Sequence, residues 1–413
     1  MKKRMLVYAH YYYPDVASTG QILAELCEGL KSDFEITVIC VVPSYTGTIE
    51  AEYKTKRFYF EEHNGIKIIR VRVPEFDKKN KVSRIKNISA YFINSILATF
   101  KAGKQDVIYS ISQPPILGGI LGVIGKLIKR AKFVYNIQDF NPEQVEVVGY
   151  SKQKVLIDLA KFVDKVSCKL SDCVIVVGRD MQKTLQQRFN HKNVPTNTVI
   201  NNWIDEKEIY PLESNHPKII DFKQIYNLEN KFIIMYSGNI GLYYDLENII
   251  RVIGKFKNRD DIVFAFVGDG TVKEQIQTYS RENNLDNVTF IPYQKKEDLV
   301  YSLNVADVHL VTNQKGIKGV SVPSKVYGVM AAGKAILGVL EQGSEAQLLI
   351  EKSNCGVVVE PQDYQAIEEA INELINQKDQ ICSMGLSGRH YLEKYLTKDI
   401  SIQKYGQTIK KLM

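Results

Sequence analysis

The sequence predicts an α/β protein made of two doubly wound domains, and three observations carry that prediction. The chain has 413 residues, 45% hydrophobic and 24% charged, which is ordinary globular chemistry and enough for two cores at roughly 100–200 residues per domain. Short apolar runs alternate with segments of helical spacing, the pattern of a parallel sheet covered on both faces. The pattern then restarts after the polar, proline-containing stretch 206–218, which reads as a linker. Domains are expected over 1–205 and 206–399, followed by a terminal helix over 400–413.

In the first half, residues 5–9 form a strand. Residues 20–30 form a helix, because Ile22, Leu23, Leu26 and Leu30 recur at helical spacing. Further strands are predicted over 36–42, 66–73, 106–110, 133–137, 174–177 and 198–200. The second half repeats the rhythm with strands over 232–236, 262–267, 288–291, 308–311, 335–339 and 356–359. Ligands of such folds bind beyond the carboxyl ends of the strands, so the residues just after each strand are the ones to read.

Composition excludes several classes. The cysteines at 27, 40, 168, 173, 355 and 382 form no Cys-x-x-Cys pair and no zinc-ligand spacing, which suits reduced thiols in a cytosolic protein. Met1 to Arg4 starts like a signal peptide, but the apolar run after it ends at Ala9, short of a secretory segment. No run reaches the ~20 residues of a spanning helix. Residues 1–200 hold 30 Lys+Arg against 19 Asp+Glu, a balance of +11; residues 201–413 hold 24 against 28, a balance of −4. The basic half is expected to meet something anionic.

Four stretches carry chemistry. Ser237-Gly238-Asn239-Ile240-Gly241 ends a strand and precedes a helix expected near Asp245. It is either a plain turn or one whose backbone N–H groups cradle an anion. Gly268-Asp269-Gly270 is a second strand-end turn, where the Asp stabilises its own turn or the glycines approach a ligand. Neither G-x-G-x-x-G nor the Walker pattern occurs, so nicotinamide and P-loop chemistry are unsupported and no cofactor is expected. Pro323 and Ser324 signal a helix start, with Lys325 in the first turn. A cation there is unfavourable alone and makes sense beside a phosphate; otherwise it is a solvated lysine. Asp139 and Glu143 lie four apart after a strand, either as hydrogen-bond acceptors for a sugar hydroxyl or as a cap and a first-turn acid. No Asp-x-Asp ends a strand, so no metal site is expected.

Taken in order, these stretches resemble the retaining GT-B glycosyltransferases of family 4, in particular the aminosugar transferases of bacterial capsule and O-antigen assembly. The likeness also rests on Tyr12-Tyr13-Pro14 with Ser18-Thr19-Gly20, Ser112-Gln113-Pro114-Pro115, Asn202-Trp203-Ile204-Asp205 and Ala306-Asp307-Val308, and spans nearly the whole chain. It implies two Rossmann-like domains facing a cleft, with the terminal helix returning to the first. It also implies metal-independent transfer, with retention, of a sugar expected to be an N-acetylated aminosugar, from a UDP-linked donor to a lipid-diphosphate-linked acceptor. The donor would be held by Gly238, Asn239, Gly268, Tyr293, Gln294, Ser324, Lys325 and Glu345, and the acceptor by Gly20, Asn141 and Glu143. Asp139 and Lys325 would be catalytic. The chain departs from the family where many members carry two glutamates: 315–334 holds no carboxylate, and Gly328 stands at the second position. Where members pair an Arg and a Lys after the Ser-Gly turn, it has Asn239 and Tyr244.

Residues 78–104 hold seven basic residues, Lys78, Lys79, Lys81, Arg84, Lys86, Lys101 and Lys104, and no acid. Ile85, Ile88, Phe92, Ile96 and Phe100 recur between them at helical spacing. The stretch is either a helix packing its apolar face on the sheet or one that docks on an anionic membrane surface. With the second option the protein is cytoplasmic and peripheral on the inner face of the cell membrane. No aromatic-basic interleaving of a nucleic-acid module is present. Two alternatives stand beside a transferase: a UDP-aminosugar 2-epimerase, and a non-catalytic membrane-surface scaffold of the same fold.

Overall fold

The computed structural model describes residues 2–15, 18–77, 80–147, 149 and 153–413, except for the side chain of Ser18. Lys78 and Lys79 of the basic stretch lie outside the described residues. The strands are β1 (Lys3–Tyr8), β2 (Phe34–Val41), β3 (Phe58–His63), β4 (Ile66–Val71), β5 (Val107–Ile111), β6 (Lys132–Ile137), β7 (Cys173–Val176), β8 (Asn197–Val199), β9 (Phe232–Ser237), β10 (Ile262–Val267), β11 (Val288–Ile291), β12 (Val308–Thr312), β13 (Ala335–Val339) and β14 (Gly356–Val359). The helices are α1 (Ser18–Leu30), α2 (Lys81–Lys101), α3 (Leu117–Lys129), α4 (Asn141–Val147), α5 (Lys154–Leu170), α6 (Arg179–Arg188), α7 (Pro217–Ile225), α8 (Leu246–Ile253), α9 (Lys273–Glu282), α10 (Leu299–Val305), α11 (Lys325–Ala331), α12 (Glu345–Ser353), α13 (Tyr364–Asn376), α14 (Lys378–Tyr395) and α15 (Lys398–Lys410).

The chain forms two compact units, Met1–Val177 with Gln182–Ile200 and Ile402–Met413, and Gly178–Met181 with Asn201–Ser401. The first holds the sheet β3-β4-β2-β1-β5-β6-β7-β8, the second the sheet β11-β10-β9-β12-β13-β14. The described pairings are parallel except β3 with β4. Central strands are buried on both faces, which is why they read as unbroken apolar runs. β3 escaped the sequence reading because Glu61, Glu62 and His63 break its run. It is an edge strand exposed on alternate residues, so it never needed a continuous apolar stretch.

In the first unit α3 sits unusually deep. A Cβ at Gly122 would lie 2.1 Å from the Phe133 ring, and one at Gly125 2.6 Å from Tyr8 Oη. The far side of the sheet takes α15: Asn136 Nδ2 donates to Tyr405 Oη at 2.8 Å, and Lys410 pairs with Asp33 at 2.8 Å. The C-terminal residues thus belong to the unit that begins the chain. In the second unit, alternate residues of β9 feed two cores. Phe232, Ile234 and Tyr236 pack with Leu246, Ile249 and Ile253 of α8. Ile233 and Met235 pack with Ile219 and Phe222 of α7.

Candidate functional site

The second unit gathers Gly238, Gly268 and Lys325, which are scattered in sequence, at the carboxyl ends of β9 and β10. Gly238 and Gly268 have φ of +131° and +136°, in the region that favours glycine. A Cβ on Gly268 would lie 2.0 Å from the Gly238 carbonyl oxygen, and one on Gly238 2.8 Å from Lys325 Cε. Gly238 N–H donates to Val267 O at 2.9 Å and Ile240 N–H to Asp269 O at 2.8 Å. The two turns form one laced rim, with Lys325 against it. The helix after this rim begins at Leu246 with Asp245 as its cap residue, where the sequence put it.

Lys325 opens α11. Its Nζ donates to Tyr236 Oη at 2.5 Å, and that hydroxyl donates to the Asn239 carbonyl at 2.5 Å. The ammonium also lies 3.6 Å from the Tyr244 ring centroid and 4.1 Å from that of Tyr236. Aromatic faces offset part of the cost of burying a cation. Burial still pushes the Lys325 pKa well below its usual value, and no carboxylate acts against that shift. Among the described residues no acid pairs with it. A cation so placed, with no acid partner among the described residues, has the chemistry to take an anion. Tyr236 and Tyr244 were not singled out as its partners in the sequence; the one signal was Tyr244 standing where relatives carry a cation.

The other expected donor residues divide. Asn239 is exposed beside Gly238, and Ser324 is exposed at the start of α11. Tyr293 is exposed on the loop after β11, where Gln294 Nε2 donates to Pro292 O at 2.8 Å. Glu345 lies inside the protein. It is 1% exposed and accepts from Arg179 N at 2.7 Å, Nε at 2.9 Å, Nη2 at 2.9 Å, and from Asn201 Nδ2 at 3.0 Å. A carboxylate so engaged clamps the chain around Arg179, whose pKa it raises. Gly328 lies within the buried face of α11, where a Cβ would touch Leu303 at 3.5 Å.

In the first unit, Asp139 and Glu143 have different surroundings. Arg188 donates from Nε and Nη2 to Glu143 at 2.8 and 2.5 Å, and from Nη1 to Asp164 at 2.5 Å. This buried network holds α4, α5 and α6 and occupies both Glu143 oxygens. Asn141 Nδ2 donates to Ser112 O at 2.9 Å and to Asp139 O at 3.2 Å, tying together the loops after β5 and β6. Asp139 stays half-buried at the end of β6. Gly20 sits in the first turn of α1, and a Cβ there would press on Tyr11 O at 3.0 Å.

A cavity of about 370 Å³ opens beyond β1 and β5, lined by His10, Tyr11, Tyr45, Phe76, Arg84 and Pro114 among others. Burial lowers the His10 pKa to about 4, opposed by a hydrogen bond with Asn87. Its ring is therefore neutral near pH 7, and its Nε2 is buried with no hydrogen-bond partner. This histidine's setting depends on Asn87 and Tyr91 of α2, far along the chain, and left no local signature. Among the described residues, no group of three His, Cys, Asp or Glu could hold a metal ion, and no helix is long and apolar enough to cross a membrane.

Residues 218–394 match the family model described as Glycosyl transferases group 1. The chain is 27% identical over 345 residues to the probable glycosyltransferase WbjE of Pseudomonas aeruginosa, covering 83% of this chain and 84% of that one. It is 24% identical over 417 residues to the putative colanic acid biosynthesis glycosyl transferase WcaI of Escherichia coli K12, covering 98% and 100%. Among solved structures, sucrose-phosphate synthase from Thermosynechococcus elongatus superposes with a TM-score of 0.78 at 16% identity, covering 100% of this chain and 99% of that one. The Anabaena protein HepE, solved with UDP and glucose, gives 0.72 at 14%, covering 99% of both. The fold is that of these GT-B enzymes.

Proposed function

We propose, from the match of residues 218–394 to the glycosyl transferases group 1 model, that the protein is a retaining, metal-independent glycosyltransferase. It moves a sugar from a UDP-linked donor to a lipid-linked acceptor in surface polysaccharide assembly. The single observation that carries this reading is the Lys325 ammonium, caged by Tyr236 and Tyr244 against the Gly238 turn and facing no carboxylate among the described residues. A nucleoside diphosphate supplies the missing negative charge. When the sugar–phosphate bond breaks, charge grows on the departing phosphate oxygen, and a preplaced cation there lowers the barrier. Support for UDP comes from the HepE structures, one solved with UDP and glucose. Support for polysaccharide assembly comes from the name of WcaI. Retention and an N-acetylated aminosugar rest on the resemblance of the motifs.

The other unit takes the acceptor. The His10 cavity offers Tyr11, Tyr45 and Phe76 as flat apolar surfaces for a sugar ring, with Arg84 as its cation. Neutral His10 offers its unpartnered Nε2 to an acceptor hydroxyl. Asp139 is assigned that hydroxyl's proton. The test is turnover with a panel of UDP-sugars and a lipid-diphosphate-linked acceptor, with the anomeric configuration of the product read by NMR. The expected result is a retained linkage formed equally well in EDTA. An inverted product, a strict need for a divalent cation, or conversion of the donor sugar without acceptor would each contradict the proposal, the last in favour of an epimerase.

A further inference from the structure

Helix α2 has an unusually polar inner side. Its sheet-facing side buries Asn87, Asn94, Ser95 and Thr99 beside Tyr91 and Ala98. Several of these groups are used there: Thr99 Oγ1 lies 2.6 Å from Tyr8 Oη, and Asn87 and Asn94 donate to the Pro74 and Arg72 carbonyls at 2.8 and 2.7 Å. Its outer side carries Val82, Ile85, Ile93 and Phe100, which are 61%, 63%, 53% and 63% exposed. A helix on a sheet ordinarily buries its apolar stripe. Here only Tyr91 and Ala98 are apolar on the buried side, Ile88, Phe92 and Ile96 are half-buried, and the remaining apolar side chains point to solvent.

Helix α5 repeats the pattern. Val155, Leu156, Leu159 and Phe162 share one helical face and are 79%, 56%, 56% and 62% exposed. Its inward side holds Asp164, Ser167 and Cys168. Helix α3 packs against both α2 and α5, so the three form one layer. Leu127 of α3 adds a further apolar residue, 70% exposed. Cations accompany this apolar face. From Lys81 to Lys101 there are four basic residues and no acid. Helix α3 ends in Lys126 and Lys129. Helix α5 has Lys154, Lys161, Lys165 and Lys169 against an exposed Asp158 and the inward Asp164, with Lys161 paired to Glu146 at 2.5 Å.

We infer that the outer faces of α2 and α5, bridged by α3, form one interfacial docking surface for an anionic bilayer, whose apolar side chains enter the headgroup boundary while the cations meet lipid phosphates. Apolar side chains and cations presented together by helices lying on the surface are what such a boundary selects. The inference deepens the membrane partner of the function proposed above and rests on that reading only for why the acceptor carries a lipid. It differs from purely electrostatic docking: part of the binding survives screening, because apolar burial does not depend on ionic strength.

The experiment uses the full chain and vesicles of phosphatidylcholine with about one-third phosphatidylglycerol, the anionic lipid supplying the surface potential. The double variants Ile85→Ser with Phe100→Ser, and Leu159→Ser with Phe162→Ser, change exposed side chains, and circular dichroism checks that they fold. Each is expected to lose about 10-fold or more in partitioning. The parent is expected to keep part of its binding at about 0.5 M salt, where surface charges are screened within a few Å. UDP binding by calorimetry should be the same in parent and variants. Parent-like sedimentation of either variant, or no binding by the parent, would overturn the inference. So would loss of a parent dimer in the variants, which would assign the face to self-association. Vesicle binding by a parent that binds no UDP would support docking while removing the donor reading.

Discussion

Lys325 is half-buried and its ammonium pairs with no acid among the described residues, and this has consequences at the scale of one residue. Its pKa is lowered by burial, so at a pH above that lowered value the unliganded side chain is neutral. A bound diphosphate favours the ammonium, so nucleotide binding in alkaline buffer should take up a proton. The apparent binding enthalpy should then change with the ionisation enthalpy of the buffer. Equal enthalpies in all buffers would mean that Lys325 does not meet the phosphates. Glu345 makes the opposite case. Its partner Arg179 keeps 36% of its side-chain surface, so breaking the pair with Glu345→Ala should cost about 3 kcal/mol, the low end for a buried pair. Urea denaturation reads that loss; a variant of parental stability with weakened donor affinity would restore Glu345 to the ligand. The sequence showed the glycines and the lysine because turns and helix starts leave local signatures. It could not show that Glu143 and Glu345 are spent on Arg188 and Arg179, since those arginines lie 45 and 166 residues away. The Tyr244 ring over Lys325 was equally hidden, because the contact joins two strand-end segments of one sheet.

At the scale of elements, the donor rim depends on two turns touching through their backbones. Gly268→Ala would place a methyl group 2.0 Å from the Gly238 carbonyl at a φ of +136°. The turn must shift, and UDP affinity should fall at least ~10-fold, since a displacement of this size is not absorbed by a flexible side chain. Gly65→Ala is the control: φ there is +80° with nothing within 4 Å, so it carries backbone strain but no clash and should leave UDP binding unchanged. Equal affinities for parent and Gly268→Ala would separate the rim from the ligand. Helix α2 shows where periodicity misleads. Its apolar residues recur at helical spacing, yet Ile85 and Phe100 face outward and Ile88, Phe92 and Ile96 are only half-buried, while Asn87, Asn94 and Thr99 take the sheet side and bond neighbouring backbone and Tyr8. The period identified a helix and left open which side is buried.

For the whole molecule, the strands buried on both faces were legible, and β10, β11, β13 and β14 match their predicted limits to the residue. The mixed edge β3 was not, because an edge strand need not be apolar throughout. The two units also share a liability to acid. His10 in the first and His309 in the second are each lowered to about 4 by burial, so the native rings stay neutral where the unfolded ones take a proton. Stability is therefore full above about pH 6.5 and is lost as pH falls toward about 4, by up to ~3 kcal/mol per histidine. Denaturation midpoints at about pH 7.5 and about pH 4.5 should differ in that direction; a flat profile would count against both buried rings. The central claim is that Lys325 completes a diphosphate site, and its most direct test is calorimetric titration of UDP into the parent and Lys325→Ala. The account predicts binding by the parent and a loss of about 100-fold or more in the variant, the scale of one charge partner removed from a buried site. Parental affinity in Lys325→Ala would contradict it.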